Sequence, residues 1–138
     1  MIKTFKYFIQ AIIIYLFFII GKILGIKISR KIFSFLFRKL GPVIRSKKVI
    51  KKNLLKFSKE ISEQEIETIC SNMWANYGMT FIEYIFLKDL RNSNSHIKII
   101  GEEKLDKISK ENKPVIFVSG HFANFELMSM EITKKKLK

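Results

Sequence analysis

The chain has 138 residues, a formal net charge of +14 and one cysteine, Cys70. This length allows about one domain, and one cysteine excludes an intramolecular disulfide framework and shows none of the spacing of a metal site. Residues 1–59 contain fifteen basic residues and no acidic residue, whereas residues 60–138 contain eleven basic and twelve acidic residues. The basic block, residues 1–59, therefore favours a polyanionic partner, either anionic lipid or nucleic acid.

Residues 7–26 form an apolar run that predicts a membrane anchor. Lys22 is the one charged residue of the run, and Gln10 is its polar exception. About 20 helical residues reach about 30 Å, which matches the hydrocarbon core of a bilayer. A signal peptide is the alternative, but no small-residue cleavage site follows the run and several basic residues do. We therefore predict a retained, single-pass anchor over residues 1–26.

The flanks of this run predict its orientation. Two lysines precede the run, whereas six basic residues lie near or beyond its end: Lys22, Lys27, Arg30, Lys31, Arg38 and Lys39. By the positive-inside rule, the part of the chain that follows the anchor is cytoplasmic.

A basic amphipathic helix is predicted directly after the anchor, over residues 26–40. At 100° per residue Lys27, Arg30, Lys31 and Arg38 fall within a sector of about 100° and apolar residues fill the rest, with Lys39 as the exception among the apolar positions. Such a helix can lie in a lipid interface, or its apolar face can pack on a later part of the chain, and both can hold at once. A second lysine-rich helix is predicted over residues 43–57, so we assign residues 27–59 to basic interfacial helices.

Nucleic acid is the weaker polyanion for this basic block. The sequence contains no helix-turn-helix pattern, no ribonucleoprotein aromatic motif and no zinc-ligand spacing. Because the block adjoins the predicted anchor, lipid head groups are favoured and no nucleic-acid partner is expected.

A long helix is predicted from Ser62 to about Lys88. Ser62 and Glu65 form the pattern of a capping box, in which each side chain bonds a free backbone amide of the other residue. Apolar residues then recur at steps of three and four: Ile66, Ile69, Cys70, Met73, Trp74, Tyr77, Phe81, Tyr84 and Ile85. This stripe predicts core, with a groove for an acyl chain as the alternative.

A strand, a helix and a second strand are predicted after a polar loop at residues 91–95. The strands are residues 96–100 and 114–119, and the helix is residues 101–113. Together they predict a parallel unit with a right-handed crossover. The expected fold class is α/β: an N-terminal transmembrane helix and a helical layer, followed by the incomplete start of a parallel-sheet domain.

His121 and Glu126 are the candidate catalytic residues. A continuous helix would hold them about 140° apart, but a turn after Gly120 would put His121 at the exit of the strand and Glu126 in the first turn of the next helix. A neutral imidazole can take a proton from a hydroxyl, and a carboxylate can orient it and stabilise the imidazolium. Asn124 is expected to cap that helix, with a substrate contact as the alternative. The other histidine, His96, is expected to be a surface or packing residue.

The stretch "SGHFANFEL" resembles the histidine, four residues, acid motif of the lysophospholipid acyltransferase superfamily, in the form found in late lipid A acyltransferases of Gram-negative bacteria. Four more features follow the same order: the hydrophobic anchor, "NLLKF" (residues 53–57), "ISEQE" (61–65) and "GEEKL" (101–105), with "PVIFVSGH" leading into the motif. Two residues differ from the common pattern, because Phe125 stands where tryptophan is common and Ala123 where glycine is frequent.

The resemblance implies transfer of a fatty acyl group from acyl carrier protein to a hydroxyl of a Kdo-bearing lipid A precursor, at the cytoplasmic face of the bacterial inner membrane. By position, His121 would be the general base and Glu126 the carboxylate that orients it. The resemblance implies no cofactor and no metal. The partners would be acyl carrier protein, a glycolipid acceptor and the membrane.

Members of this family continue well beyond the motif, whereas this sequence ends twelve residues after Glu126. Residues 60–138 are therefore expected to be a truncated acyltransferase domain, and the 138-residue chain is expected to be inactive by itself. The alternative class is a non-catalytic, membrane-anchored basic protein that binds anionic lipid.

Overall fold

A computed structural model describes residues 2–93, 96–111 and 113–135 of the chain. Its helices are α1 (Ile2–Ile44), α2 (Lys47–Phe57), α3 (Glu63–Glu83), α4 (Leu87–Asn92), α5 (Glu102–Glu111) and α6 (Glu126–Lys134), with a 3₁₀ turn at Tyr84–Phe86. The chain forms two compact units, Met1–Ile85 and Phe86–Lys138. Residues 94 and 95 of the predicted loop and residue 112 of the predicted α5 helix lie outside the described residues.

Helix α1 is broken at Gly25, where the chain folds back. Gly25 has φ 75° and ψ 164°, a conformation that glycine adopts without a Cβ clash. In a straight helix, residues 17 and 33 would lie about 24 Å apart, but the ring centroids of Phe17 and Phe33 are 5.7 Å apart. The buried Ser29 Oγ donates a hydrogen bond of 2.8 Å to the Gly21 carbonyl across the break. The two halves of α1 therefore pack against each other.

Helix α3 packs closely on both halves of α1. A methyl group at Gly78 would overlap the Phe33 carbonyl, and one at Gly41 would overlap the Trp74 ring. Glycine at such positions lets two helix backbones approach each other, as it does between membrane helices. Phe81 fills the centre of this contact, with its ring centroid 5.4 to 5.9 Å from those of Phe18, Phe33 and Phe37.

The predicted apolar stripe of α3 is core only in part. Ile66, Cys70 and Trp74 are buried as predicted, whereas Ile69, Tyr77 and Tyr84 are exposed: their exposed fractions are 39%, 55% and 45%. Helix α2 covers the first turns of α3, where Ile50 joins Ile66 and Cys70 in one apolar cluster. Two ion pairs support this contact, Lys47 with Glu67 and Lys51 with Glu63.

The predicted capping box at the start of α3 is confirmed. Ser62 Oγ accepts a hydrogen bond from the Glu65 backbone N–H at 3.2 Å, and Glu65 Oε2 accepts one from the Ser62 N–H at 2.9 Å. The bonds that Ser62 donates lower the pKa of the Glu65 carboxyl. A lowered pKa means that this stabilisation is complete above the pKa of a free glutamate and is lost as the pH falls through the folded value.

We expect Ser62→Ala to lower the midpoint of thermal unfolding by about 4 °C at pH 7, because the cap is lost. The difference from wild type should be smaller at pH 3 than at pH 7, because protonation of Glu65 in acid weakens the cap. Circular dichroism melts in detergent at both pH values measure this, with the exposed Ser71→Ala as the control. A difference that is equal at both pH values would contradict a role for the Glu65 charge.

The second unit contains α4, α5 and α6. Leu90 of α4 is buried, and α4 packs against α6. The Lys135 Nζ lies 2.8 Å from Glu102 Oε1 and 2.6 Å from Asp106 Oδ1, and Ser109 Oγ donates to the Lys135 carbonyl. These contacts fix the end of α6 to α5, and the bonds to the two carboxylates raise the pKa of Lys135.

The predicted α/β fold class is wrong. The described residues contain no strand, and residues 97–99 and 113–122 have no regular secondary structure. Ile116 and Val118 are 91% and 92% exposed, so this segment is not a buried strand. Apolar, β-branched residues favour extended backbone, but a strand also needs a neighbour to accept its backbone hydrogen bonds, and here none does. The predicted helix between the two segments is confirmed as α5.

Candidate active site

The segment around His121 and Glu126 contains a bend. Residues 113–122 form no regular secondary structure, the chain turns over residues 123–125, and α6 begins at Glu126, as predicted for that residue. The Phe122 N–H donates to the Gly120 carbonyl at 3.0 Å, which tightens the chain next to His121. The two candidate residues therefore stand on either side of a bend and not along one helix.

Ala123 makes this bend in a left-handed conformation, with φ 47°. Glycine adopts this region freely, whereas a residue with a Cβ loses roughly 1 kcal/mol there. Alanine in place of the common glycine therefore preserves the turn but strains the backbone. The sequence difference was visible, but only the backbone angle shows how it is accommodated.

The His121 imidazole is exposed and packs on the Phe125 ring. The ring centroids are 4.0 Å apart and the planes are tilted by 53°. Phe125 is half-buried at the N-cap of α6, so it supports the imidazole from within the structure. Sequence reasoning did not identify this supporting role. Two ring side chains four residues apart across a predicted turn could have indicated it.

Glu126 is half-buried, and its carboxylate oxygen Oε2 is fully buried. Its position in the first turn of α6 lets the helix dipole stabilise its negative charge. Among the described residues, no hydrogen bond or ion pair joins the His121 imidazole to Glu126. The structure thus places the carboxylate directly behind the bend, while the imidazole contacts Phe125.

Asn124 is buried, but it is not the N-cap that we expected. Phe125 occupies that position, and the Asn124 carbonyl accepts a bond of 3.3 Å from the Leu127 N–H. The other histidine, His96, is exposed, in agreement with a surface role. In the part of the chain that the structure describes, no group of three or more His, Cys, Asp or Glu side chains could hold a metal ion.

One described helix is long and apolar enough to cross a membrane. It lies within residues 3–44, and only 6% of its most apolar window is buried in the protein. The break at Gly25 falls inside it, so the first half of α1 is the apolar segment next to the N-terminus.

A motif of this kind can carry proton transfer. An exposed imidazole can reach a hydroxyl, and a carboxylate in a neighbouring helical turn can stabilise the imidazolium that results. The chain matches the family model of bacterial lipid A biosynthesis acyltransferases over residues 2–138. No curated protein and no solved structure matches the chain.

Proposed function

We propose, for a chain that belongs to the bacterial lipid A biosynthesis acyltransferase family, that acyl carrier protein is the acyl donor and that a Kdo-bearing lipid A precursor is the acceptor. Family membership makes the protein an acyltransferase of lipid A biosynthesis, which uses an acyl donor and a lipid acceptor. The donor, the acceptor and the roles of His121 and Glu126 are our proposal. The observation that carries it is the exposed imidazole of His121 at a bend whose far side holds the buried carboxylate oxygen of Glu126.

In the proposed reaction, the His121 imidazole takes the proton of the acceptor hydroxyl as its oxygen attacks the thioester carbonyl of the donor. A carbon–oxygen bond forms and the carbon–sulfur bond breaks. The proton then passes from the imidazolium to the departing thiolate. Glu126 stabilises the imidazolium by its negative charge, and the Phe125 ring holds the imidazole at the bend. The reaction needs no cofactor for this proton transfer.

The outward lysines of α2 support an acidic donor protein. Lys47 and Lys51 are neutralised by acids of α3, which directs the opposite side of α2 away from the protein. Lys48, Lys52 and Lys56 lie on that side at steps of four, are exposed, and form no ion pair with the described residues. A row of three unpaired cations about 12 Å long complements a row of acids on a partner helix.

We expect the triple change of Lys48, Lys52 and Lys56 to glutamate to raise KM for acyl carrier protein roughly tenfold, with kcat little changed. The reason is that opposite charges steer association and take no part in the chemical step. Steady-state kinetics in membranes that carry the protein measure it, and Lys110→Glu, an exposed lysine of α5, is the control. A fall in kcat with an unchanged KM would contradict a docking role for these lysines.

The proposed site of action is the cytoplasmic face of the inner membrane. The exposed apolar first half of α1 supports an anchor, and the basic residues that follow it support a cytoplasmic location for the rest. Incubating membranes that carry the protein with acyl carrier protein and the lipid A precursor tests the function, because transfer adds the mass of one acyl chain to the precursor. Residues 1–138 are expected to be inactive by themselves, and the same assay with the purified chain tests this prediction. The kinetic measurements on variants therefore use the chain with the C-terminal part of an acyltransferase of this family fused after Lys138.

A further inference from the structure

The second half of α1, residues 26–44, has two apolar faces. The inner face is occupied, because Ser29 and Phe33 are buried and Phe37 packs on Phe81 of α3. Glu83 of α3 pairs with Arg30 at 2.9 Å on the edge of this contact. The contacts of the inner face therefore account for the packing of this helix within the unit Met1–Ile85.

The other face remains uncovered and we call it the outer stripe: Ile28, Ile32, Phe35 and Val43. At 100° per residue, these four positions fall within about 80° of each other, and their centre lies about 120° around the helix from the centre of the inner face. Their exposed fractions are 51%, 39%, 60% and 85%. Single exposed apolar residues are normal on protein surfaces, but four in register along one helix mark an interaction surface.

Basic residues flank the outer stripe on one side. Lys27, Lys31 and Arg38 are exposed, and none of them pairs with an acid of the described residues. Lys39 lies within the stripe, and its Nζ lies over the Phe35 ring, 5.9 Å from the ring centre. This combination of apolar stripe and basic flank is typical of helices that lie in a membrane interface.

The charges also decide which partner fits. A second copy of the chain would bring the same unpaired cations against each other and would be repelled. Anionic head groups attract them, at about 1 kcal/mol for each basic residue near the surface. The stripe begins three residues after the Gly25 break, so it adjoins the apolar first half of α1. A membrane that holds the first half is therefore within reach of the second.

We propose that the second half of α1 lies in the interface of an anionic bilayer. The outer stripe is immersed at the level of the head groups and the first acyl carbons, and Lys27, Lys31 and Arg38 contact anionic head groups. This inference rests on the proposed anchor and adds a second contact, which fixes the orientation of the unit Met1–Ile85 on the membrane. Without it, a single helix would leave that unit free to rotate.

Fluorescence quenching in vesicles tests the proposal with the whole chain. A polarity-sensitive fluorophore is attached at Ile32→Cys, and the matched control is Gln64→Cys in the acidic first turn of α3. Cys70 is 2% exposed and stays in place, and a sample with Cys70 alone measures background labelling. The vesicles contain phosphatidylcholine with or without phosphatidylglycerol, and either a nitroxide lipid labelled near the head group or aqueous iodide is the quencher.

We expect nitroxide quenching at position 32 to exceed that at position 64 about twofold or more, with the opposite order for iodide. Replacing Lys27, Lys31 and Arg38 with glutamine should remove the dependence of quenching on phosphatidylglycerol. Equal nitroxide quenching at the two positions in chains that float with the vesicles would overturn the proposal and leave the anchor intact. A label at position 32 that is shielded from both quenchers would also overturn it, in favour of a protein partner. Failure of the chain to float would overturn the anchor and this inference together.

Discussion

His121→Ala is expected to lower kcat for acyl transfer about 10³-fold, with little change in KM for either substrate. The imidazole is the proposed base for the acceptor hydroxyl, and it is exposed at the bend where a lipid substrate can reach it. Its removal leaves binding in place but gives the hydroxyl proton no acceptor. Membranes that carry each variant are supplied with acyl carrier protein and precursor, and the rate of product formation is measured by mass spectrometry.

His96→Ala is the matched control for this experiment. His96 is also exposed, but it lies in a bend before α5 and outside the motif. The His96→Ala variant should keep the wild-type rate of acyl transfer. Equal rates for wild type and His121→Ala would overturn the catalytic assignment, and the proposed membrane anchor would stand. Loss of activity in both variants would point to loss of folding, which circular dichroism of the purified chains would detect.

Glu126→Gln is expected to lower kcat about 10²-fold while KM changes little. The amide keeps the shape of the side chain but removes the charge that stabilises the imidazolium. The half-buried position in the first turn of α6 keeps that charge close to the bend and partly away from water. Glu126→Asp keeps the charge and should retain more activity than Glu126→Gln.

Rescue by the conservative variant separates this role from a purely structural one. Glu126→Asp keeps the negative charge and should recover part of the rate that Glu126→Gln loses. The control is Glu103→Gln, an exposed glutamate in the first turn of α5. A fall in kcat that is equal in Glu126→Asp and Glu126→Gln would show that Glu126 acts on the fold of the bend and not on the proton transfer.

The packing of α1 and α2 on α3 neutralises part of the basic block of the first unit. Arg30 belongs to the fifteen basic residues of the N-terminal part, yet its Nε lies 2.9 Å from Glu83 Oε1, whose side chain is 8% exposed. Lys47 and Lys51 are likewise paired with α3. The charge available to lipid or protein partners is therefore smaller than the sequence total, and it is concentrated on the outward faces of α1 and α2.

The candidate site was predictable as a pattern but not as a geometry. The glycine and histidine after an apolar run predict a bend, and Glu126 lies in the first turn of α6 as expected. The spacing could not predict that the imidazole packs on Phe125 or that Ala123 takes a left-handed conformation. Those details depend on side-chain packing and on backbone angles, which the spacing of residues in the sequence does not determine.

Local signals determined the parts of the chain that the sequence predicted correctly. The capping box at Ser62 uses groups three residues apart, so it needs no distant partner. The apolar run before Gly25 was likewise predictable from the composition of that segment alone. The periodicity of residues 102–111 was enough for α5, because helix hydrogen bonds stay within the segment.

Contacts between distant residues decided the rest. The fold-back at Gly25 depends on Phe33 and Phe81 meeting, and the choice of inner face on α1 depends on where α3 lies. The predicted strands at residues 96–100 and 114–119 failed for the same reason, because a strand exists only through hydrogen bonds to a neighbour that local sequence cannot supply. Helices close their own hydrogen bonds and sheets do not, which is why the sequence by itself predicted the helices and only the tertiary structure excluded a sheet among the residues that it describes.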